Sequence, residues 1–285
     1  MVSWVDGYWW SNDGLRLHYR DYPGSDARPP ILCIPGLTRN ARDFEAVAER
    51  LSPHWRVICV DLRGRGESAY AKDAMTYAPI TYLQDIEALI RTLSLERFIL
   101  FGTSLGGLIT MLLATAGDKR VAAALLNDVG PALDDRGIER IRGYVGRSQS
   151  WPTWLHAARW FADFQGEVCP KWTLDDWLTH AKRLCKLGPG GRIGFDYDMR
   201  IAEPFKVPGG ATGFDLWGAF RGLAGIPALV VRGEISDLLS AETVARMQAE
   251  LPMMEDVTVP NIGHTPNLSE PEAVAAIDRL LARVA

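Results

Sequence analysis

Ser104 sits among small residues, in Gly102-Thr103-Ser104-Leu105-Gly106-Gly107, and this is the strongest chemical signal in the chain. An apolar run over residues 98–102 reads as a buried strand, and residues 105–116 read as a helix. A strand that turns sharply into a helix needs small neighbours at the turn, and Gly102 and Gly106 supply them. The serine then stands exposed at the strand's carboxyl end, beside free backbone N–H groups at the helix start. A serine hydroxyl is a weak nucleophile until a base takes its proton. Of the five histidines, His18 falls in the leading hairpin, His54 before a strand, and His156 and His180 in a central segment. His264, in Asn261-Ile262-Gly263-His264-Thr265-Pro266, follows the last strand and is the expected base. With a nucleophile of this kind the carboxylate that orients the base lies between the two in the chain. Asp237, after the strand ending at Gly233, is the expected choice; Asp128 and Glu234 are the alternatives. Two backbone donors are needed for a developing oxyanion. They are expected at Leu105, next to the serine, and at Leu37, in the loop Pro35-Gly36-Leu37-Thr38.

These residues need a scaffold that brings strand ends together. Residues 5–11 and 15–21 read as a hairpin around Asn12-Asp13-Gly14. Further strands are expected at 30–34, 56–60, 98–102, 122–128, 227–233 and 256–259. Helices are expected at 41–51, 81–93, 105–116, 241–250 and 271–283, with Ser240 and Ser269 as caps. Strands alternating with helices imply a mainly parallel sheet covered on both faces. The alternation stops between Pro131 and about Gly222. That stretch holds Trp151, Trp154, Trp160, Trp172 and Trp177 and the glycine-rich Val207-Pro208-Gly209-Gly210. It reads as a helical cap (131–222) over a core formed by 1–130 and 223–285, with its tryptophans packing a small core of their own. The segment at 61–68 reads as a structural loop whose Asp61, Arg63 and Ser68 satisfy one another or nearby backbone.

Composition narrows the classes. Hydrophobic residues make up 47% and charged residues 23% of the 285, which suits a packed α/β domain. A net charge of −4 without a basic run argues against a nucleic-acid partner. Residues 98–117 are uncharged and about long enough to span a bilayer, but their four glycines fit a buried strand, turn and helix better. No signal-peptide pattern is seen at the start, so a cytoplasmic protein without a membrane partner is expected. Cys33, Cys59, Cys169 and Cys185 form no CxxC pair and read as buried free thiols, with no metal site.

Taken together, Ile34-Pro35-Gly36-Leu37, the 61–68 loop, the serine turn, Asn127-Asp128-Val129-Gly130-Pro131, the Asp237 loop and Gly263-His264 resemble the α/β-hydrolase family, in its cap-bearing branch. The resemblance implies an α/β-hydrolase fold: a mostly parallel eight-stranded sheet flanked by helices, with a helical cap. It implies a Ser104–His264–Asp237 triad acting on the ester-like carbonyl of a small or medium, partly apolar substrate, with no cofactor. The alternatives are carbon–carbon bond hydrolysis, perhydrolysis or a low-turnover receptor on the same triad. Pro35 stands where many members carry histidine. Thr38-Arg39-Asn40-Ala41-Arg42 replaces the glycine-proline-rich loop of many carbon–carbon hydrolases, which weighs against that chemistry. Arg159, Lys182 and Arg183 are candidate partners for a substrate carboxylate, with a solvated face favoured.

Overall fold

The computed structural model describes residues 3–115, 119–206 and 215–284, so Val207-Pro208-Gly209-Gly210 and the expected helix end at Ala116 lie outside the described residues. The leading hairpin is β1 (Val5–Trp10) and β2 (Arg16–Tyr22), followed by β3 (Ile31–Ile34), a 3₁₀ turn (Ala41–Phe44), α1 (Glu45–Leu51), β4 (Val57–Asp61) and α2 (Pro79–Thr92). Then come β5 (Phe98–Thr103), α3 (Leu105–Thr115) and β6 (Val121–Asn127). The central segment holds α4 (Asp135–Tyr144), β7 (Ser150–Trp151), α5 (Trp154–Gln165), α6 (Leu174–Leu184), β8 (Cys185–Leu187), β9 (Ile193–Phe195), a 3₁₀ segment (Met199–Lys206) and α7 (Leu216–Arg221). Last come β10 (Ala228–Gly233), α8 (Ala241–Glu250), β11 (Glu255–Val259) and α9 (Pro271–Ala282). Eight strands form the main sheet in the order β1-β2-β4-β3-β5-β6-β10-β11. The first two pairings, β1 with β2 and β2 with β4, are antiparallel, and the rest are parallel.

Alternation along the strands divides the core. Ile31, Cys33, Ile99, Phe101, Leu125, Leu229 and Val231 point to one face, where Val47, Ala48, Ala273 and Ile277 of α1 and α9 cover them. Leu32, Ile34 and Leu100 point to the other, under Ile86 and Leu89 of α2 and Ile109 of α3. Leu126 and Val230 meet Val244 and Met247 of α8. A strand buried on both sides must be apolar throughout, which is why β3, β5 and β6 read as continuous apolar runs. The four cysteines are buried free thiols. Among the described residues no helix is long and apolar enough to cross a membrane.

In the central segment, β7, β9 and β8 form a small antiparallel sheet. Trp151 meets Trp160 at 5.2 Å and Trp172 meets Trp177 at 4.7 Å between ring centroids, but these residues belong to the buried cluster on the α1 and α9 face of the main sheet rather than to a core of their own. Helix α7 behaves differently, because Ala219 and Phe220 join the cluster formed by α3, β10 and α8. It flanks the main sheet although its sequence lies inside the expected cap.

Local chemistry shifts several expected boundaries. Asn40 caps the 3₁₀ turn by accepting from Arg42 N, so the expected 41–51 helix becomes two pieces. Ser240 caps α8, whereas the residue preceding α9 is Glu270 rather than Ser269. Residue 128, expected inside the strand, falls just past its end.

The 61–68 loop is tied to both layers. Asp61 accepts from Ala41 N at 2.6 Å and from Glu67 N at 3.0 Å, and lies 2.7 Å from His18 Nδ1. Arg63 and Asp85, with side chains 1% and 2% exposed, form a two-bond pair at 2.7 Å each, which fastens the loop to α2. Arg63 also donates to the half-exposed Asp13 at 2.9 and 3.0 Å, so loss of Asp85 removes its buried partner but not all compensation of its charge. Asp85→Ala is therefore expected to destabilise the fold by about 1–3 kcal/mol, the cost of buried donors left unsatisfied, read as a lowered urea midpoint. A change below about 1 kcal/mol would show the pair to be dispensable.

Candidate active site

Ser104 occupies the turn from β5 into α3 with φ of 51°, the left-handed region that a sharp reversal imposes. Its neighbours explain the glycines. A Cβ on Gly102 would lie 2.4 Å from Gly106 O, and one on Gly106 would lie 1.9 Å from Ile34 O. Neither position has room for a side chain. Ser104 N donates to Asn127 O at 3.0 Å, which locks the turn against the end of β6.

His264 arrives from the loop after β11. That loop is held by Gly263 N donating to Val168 O at 2.7 Å, from the connection between α5 and α6, and by Asn127 Nδ2 donating to Pro266 O at 2.9 Å. The imidazole Nε2 stands 2.9 Å from Ser104 Oγ. Its Nδ1 stands 2.7 Å from Asp128 Oδ2.

The carboxylate facing the ring is thus Asp128, and the expected Asp237 is elsewhere. Asp128 follows β6 immediately, takes φ of 53° and is fully buried. β6 lies next to β5 in the sheet, so its end opens beside the serine turn. Asp128 also accepts from Gly233 N at 2.8 Å and from Ser236 Oγ at 2.7 Å, both at the end of β10. Those bonds fix its orientation. They also mean that the β10 loop supports the carboxylate rather than supplying it. Asp237 turns to α4 instead, where Arg140 Nε and Nη2 donate to it at 2.5 and 2.7 Å. Burial pushes the Asp237 pKa up. The Arg140 guanidinium outweighs this and holds it below the ordinary carboxylate value. Glu234, the other alternative, accepts from Asn261 N at 2.7 Å.

The loop carrying Leu37 runs beside the serine. A Cβ placed on Gly36 would lie 3.7 Å from Ser104 Cβ. Leu37 O accepts from Arg65 Nε at 2.8 Å. Arg65 is fully buried and also donates to Arg63 O at 2.6 Å and Tyr82 Oη at 3.0 Å. The 61–68 segment therefore bonds to nearby backbone as well as within itself, and in doing so fixes the loop next to the nucleophile. Leu105 is the first residue of α3, and its N–H has no acceptor within the helix.

A narrow cleft opens on Ser104 and His264, lined by Leu37, Thr38, Arg39, Arg140, Tyr144 and Gln165 among others. Thr38, Arg39, Tyr144 and Gln165 also border a second, tight chamber, whose far walls include Trp160, Phe161, Phe164, Phe195 and Leu184. One chamber is polar and holds the reactive groups; the other is aromatic. The cations at the cleft are Arg39 and Arg140, from a loop and a helix that no sequence motif marks. Arg159 and Lys182 are exposed elsewhere. Among the described residues no group of His, Cys, Asp and Glu side chains could hold a metal ion.

Comparison with known proteins agrees with this architecture. The model of the "Alpha/beta hydrolase family" matches residues 31–277. A curated relative, the 3-hydroxybutyrate-oligomer hydrolase of Cupriavidus necator, is 37% identical over 91% of this chain and 90% of its own length. The 2-(acetamidomethylene)succinate hydrolase of Mesorhizobium japonicum is 29% identical, covering 86% of this chain and 84% of that protein. Among solved structures, an alpha/beta hydrolase from Novosphingobium aromaticivorans superposes with a TM-score of 0.96 at 58% identity, with both chains covered in full. With the sheet, the serine turn and the sequence match in agreement, the chain belongs to the alpha/beta hydrolase family and is a hydrolase.

Proposed function

We propose that the chain hydrolyses an ester bond by two-step acyl transfer, with Ser104 as nucleophile, His264 as general base and Asp128 as the carboxylate that orients it. The observation that carries this reading is the continuous relay of 2.9 and 2.7 Å contacts from Ser104 Oγ through the imidazole to Asp128. His264 Nε2 takes the serine proton as Oγ attacks the carbonyl carbon, while Asp128 stabilises the imidazolium. The N–H groups of Leu37 and Leu105 hold the oxyanion; one such donor is worth about 3 kcal/mol of barrier. The C–O bond of the ester breaks, and the alkoxide leaves with the proton from His264. Water then gives its proton to His264 and its hydroxyl to the acyl carbon, releasing the acid and restoring the serine. No cofactor enters either step.

The substrate class follows from the two chambers together with the 37% identical relative, which is named for hydroxybutyrate oligomers. A short oligoester of a hydroxy acid is small and partly apolar and offers both an ester carbonyl and a polar end. The part of the expected cap that holds α5 and α6 bounds the aromatic chamber and limits substrate length. Incubation with the 3-hydroxybutyrate dimer is expected to release monomer. A fluorophosphonate probe is expected to label Ser104, as mapped by peptide mass spectrometry. Folded protein that neither takes the label at Ser104 nor cleaves the dimer and simple aryl esters would overturn the reading.

A further inference from the structure

We infer that Arg39 and Arg140 form a clamp for a substrate carboxylate, so that the site selects esters carrying a free acid end; the inference rests on the ester-hydrolase reading above. Both guanidinium side chains line the cleft that contains Ser104 and His264, and the lining includes no Asp or Glu. Each arginine is braced on one flank by a carboxylate that is not part of the lining. Arg39 Nη1 donates to Asp43 at 3.0 Å, and Arg140 donates through Nε and Nη2 to Asp237. These contacts leave Arg39 with Nε and Nη2, and Arg140 with Nη1, without a protein acceptor among the described residues.

Both side chains are largely withdrawn from solvent, 18% exposed for Arg39 and 28% for Arg140. A partly desolvated, braced guanidinium loses little freedom on binding, and its planar fork matches a carboxylate. The loop geometry brings Arg39 near the reaction. Its Cγ would lie 3.4 Å from a Cβ on Gly36, the glycine that also abuts Ser104. Arg140 comes from a different element, α4, that lines the same cleft. A carboxylate between the two would fix the polar end of the substrate beside the nucleophile. The remaining chain would then extend past Tyr144 and Gln165 into the aromatic chamber. In this arrangement Asp237 serves the binding step, because it holds Arg140 rather than the imidazole.

The test compares the 3-hydroxybutyrate dimer with its terminal carboxamide, which keeps the scissile ester and removes only the charge. Wild type is expected to favour the acid in kcat/KM by about 10- to 100-fold, the range for charge-assisted hydrogen bonds. Arg39→Gln and Arg140→Gln are each expected to shrink that ratio several-fold, chiefly by raising KM for the acid. Arg39→Lys and Arg140→Lys are expected to recover part of it, and Arg159→Gln on the exposed cap surface to leave the ratio as in wild type. Equal rates on the two substrates, or arginine variants that slow both in proportion, would overturn the clamp. A second arm does not depend on turnover. Calorimetric binding of both compounds to Ser104→Ala protein is expected to favour the acid, and the preference is expected to fall when Arg39→Gln is added. Preferential binding without turnover in wild type would count against the ester reading but not the clamp; turnover without preference would do the reverse.

Discussion

Asp128→Asn is expected to lower kcat by about 10⁴-fold, the scale seen when a triad carboxylate becomes its amide. The substitution keeps the shape, so the loss isolates charge and proton direction. Three groups face this carboxylate: Gly233 N, Ser236 Oγ and His264 Nδ1. Each donates or can donate, so an ionised acceptor satisfies all three. An amide presents one NH₂: at the Oδ1 position it opposes the Gly233 N–H, and at the Oδ2 position it faces Ser236 Oγ and His264 Nδ1, which must then accept. Turned toward the ring, it favours the tautomer with the proton on Nε2, which cannot accept from Ser104. The matching variant, Asp237→Asn, leaves the His264 contact intact and weakens the brace on Arg140. It is expected to change kcat by less than about tenfold and to act on KM for carboxylate-bearing substrates. Steady-state kinetics on both variants decide the matter. A larger kcat loss at 237 than at 128 would return the orienting role to the residue expected from sequence.

That exchange of carboxylates shows which parts of the site are written locally. The serine turn was legible because its constraint is steric and confined to five residues: Gly102 and Gly106 have no space for a Cβ. His264 was legible because only one histidine follows the last strand. The carboxylate was not, because Asp128 and Asp237 both stand just after parallel strands and both precede His264. What separates them is three-dimensional. β6 adjoins β5 directly, and the left-handed backbone at 128 turns its side chain toward the site. Ser236 and Gly233, which would otherwise present Asp237, instead donate to Asp128. The one hint in the sequence is the position of the aspartate in Asn127-Asp128-Val129-Gly130-Pro131, at the very end of an apolar strand.

The same limit applies to the binding groups. Arg39 and Arg140 lie 101 positions apart, and only the packing of α4 over the β3 loop brings them to one cleft. Arg65 read only as part of a structural loop, yet its guanidinium reaches Leu37 O. Fold-level periodicity survived better than boundaries. β5 and β6 could be placed from their apolar runs. Helix α7 looked like cap because the chain around it breaks the strand–helix alternation, while its Phe220 is buried in the main core.

Ser104→Ala is expected to cut kcat by about 10⁶-fold while leaving the protein folded and able to bind substrate. Alanine keeps the Cβ that serine already carries at φ of 51°, so the backbone strain at the turn is unchanged. The hydroxyl leaves behind only its contact with His264 Nε2. Some acceleration over water is expected to remain, because the proposed oxyanion donors, the N–H groups of Leu37 and Leu105, are untouched by the substitution. The sharper measurement is the combination with His264→Ala. If serine and imidazole act as one unit, the double variant is expected to be about as slow as either single one, since removing the base adds nothing once the nucleophile is gone. Losses that instead multiplied across the two sites would mean that each contributes on its own. The 2.9 Å contact between them would then be a neighbourly hydrogen bond rather than the path of the proton.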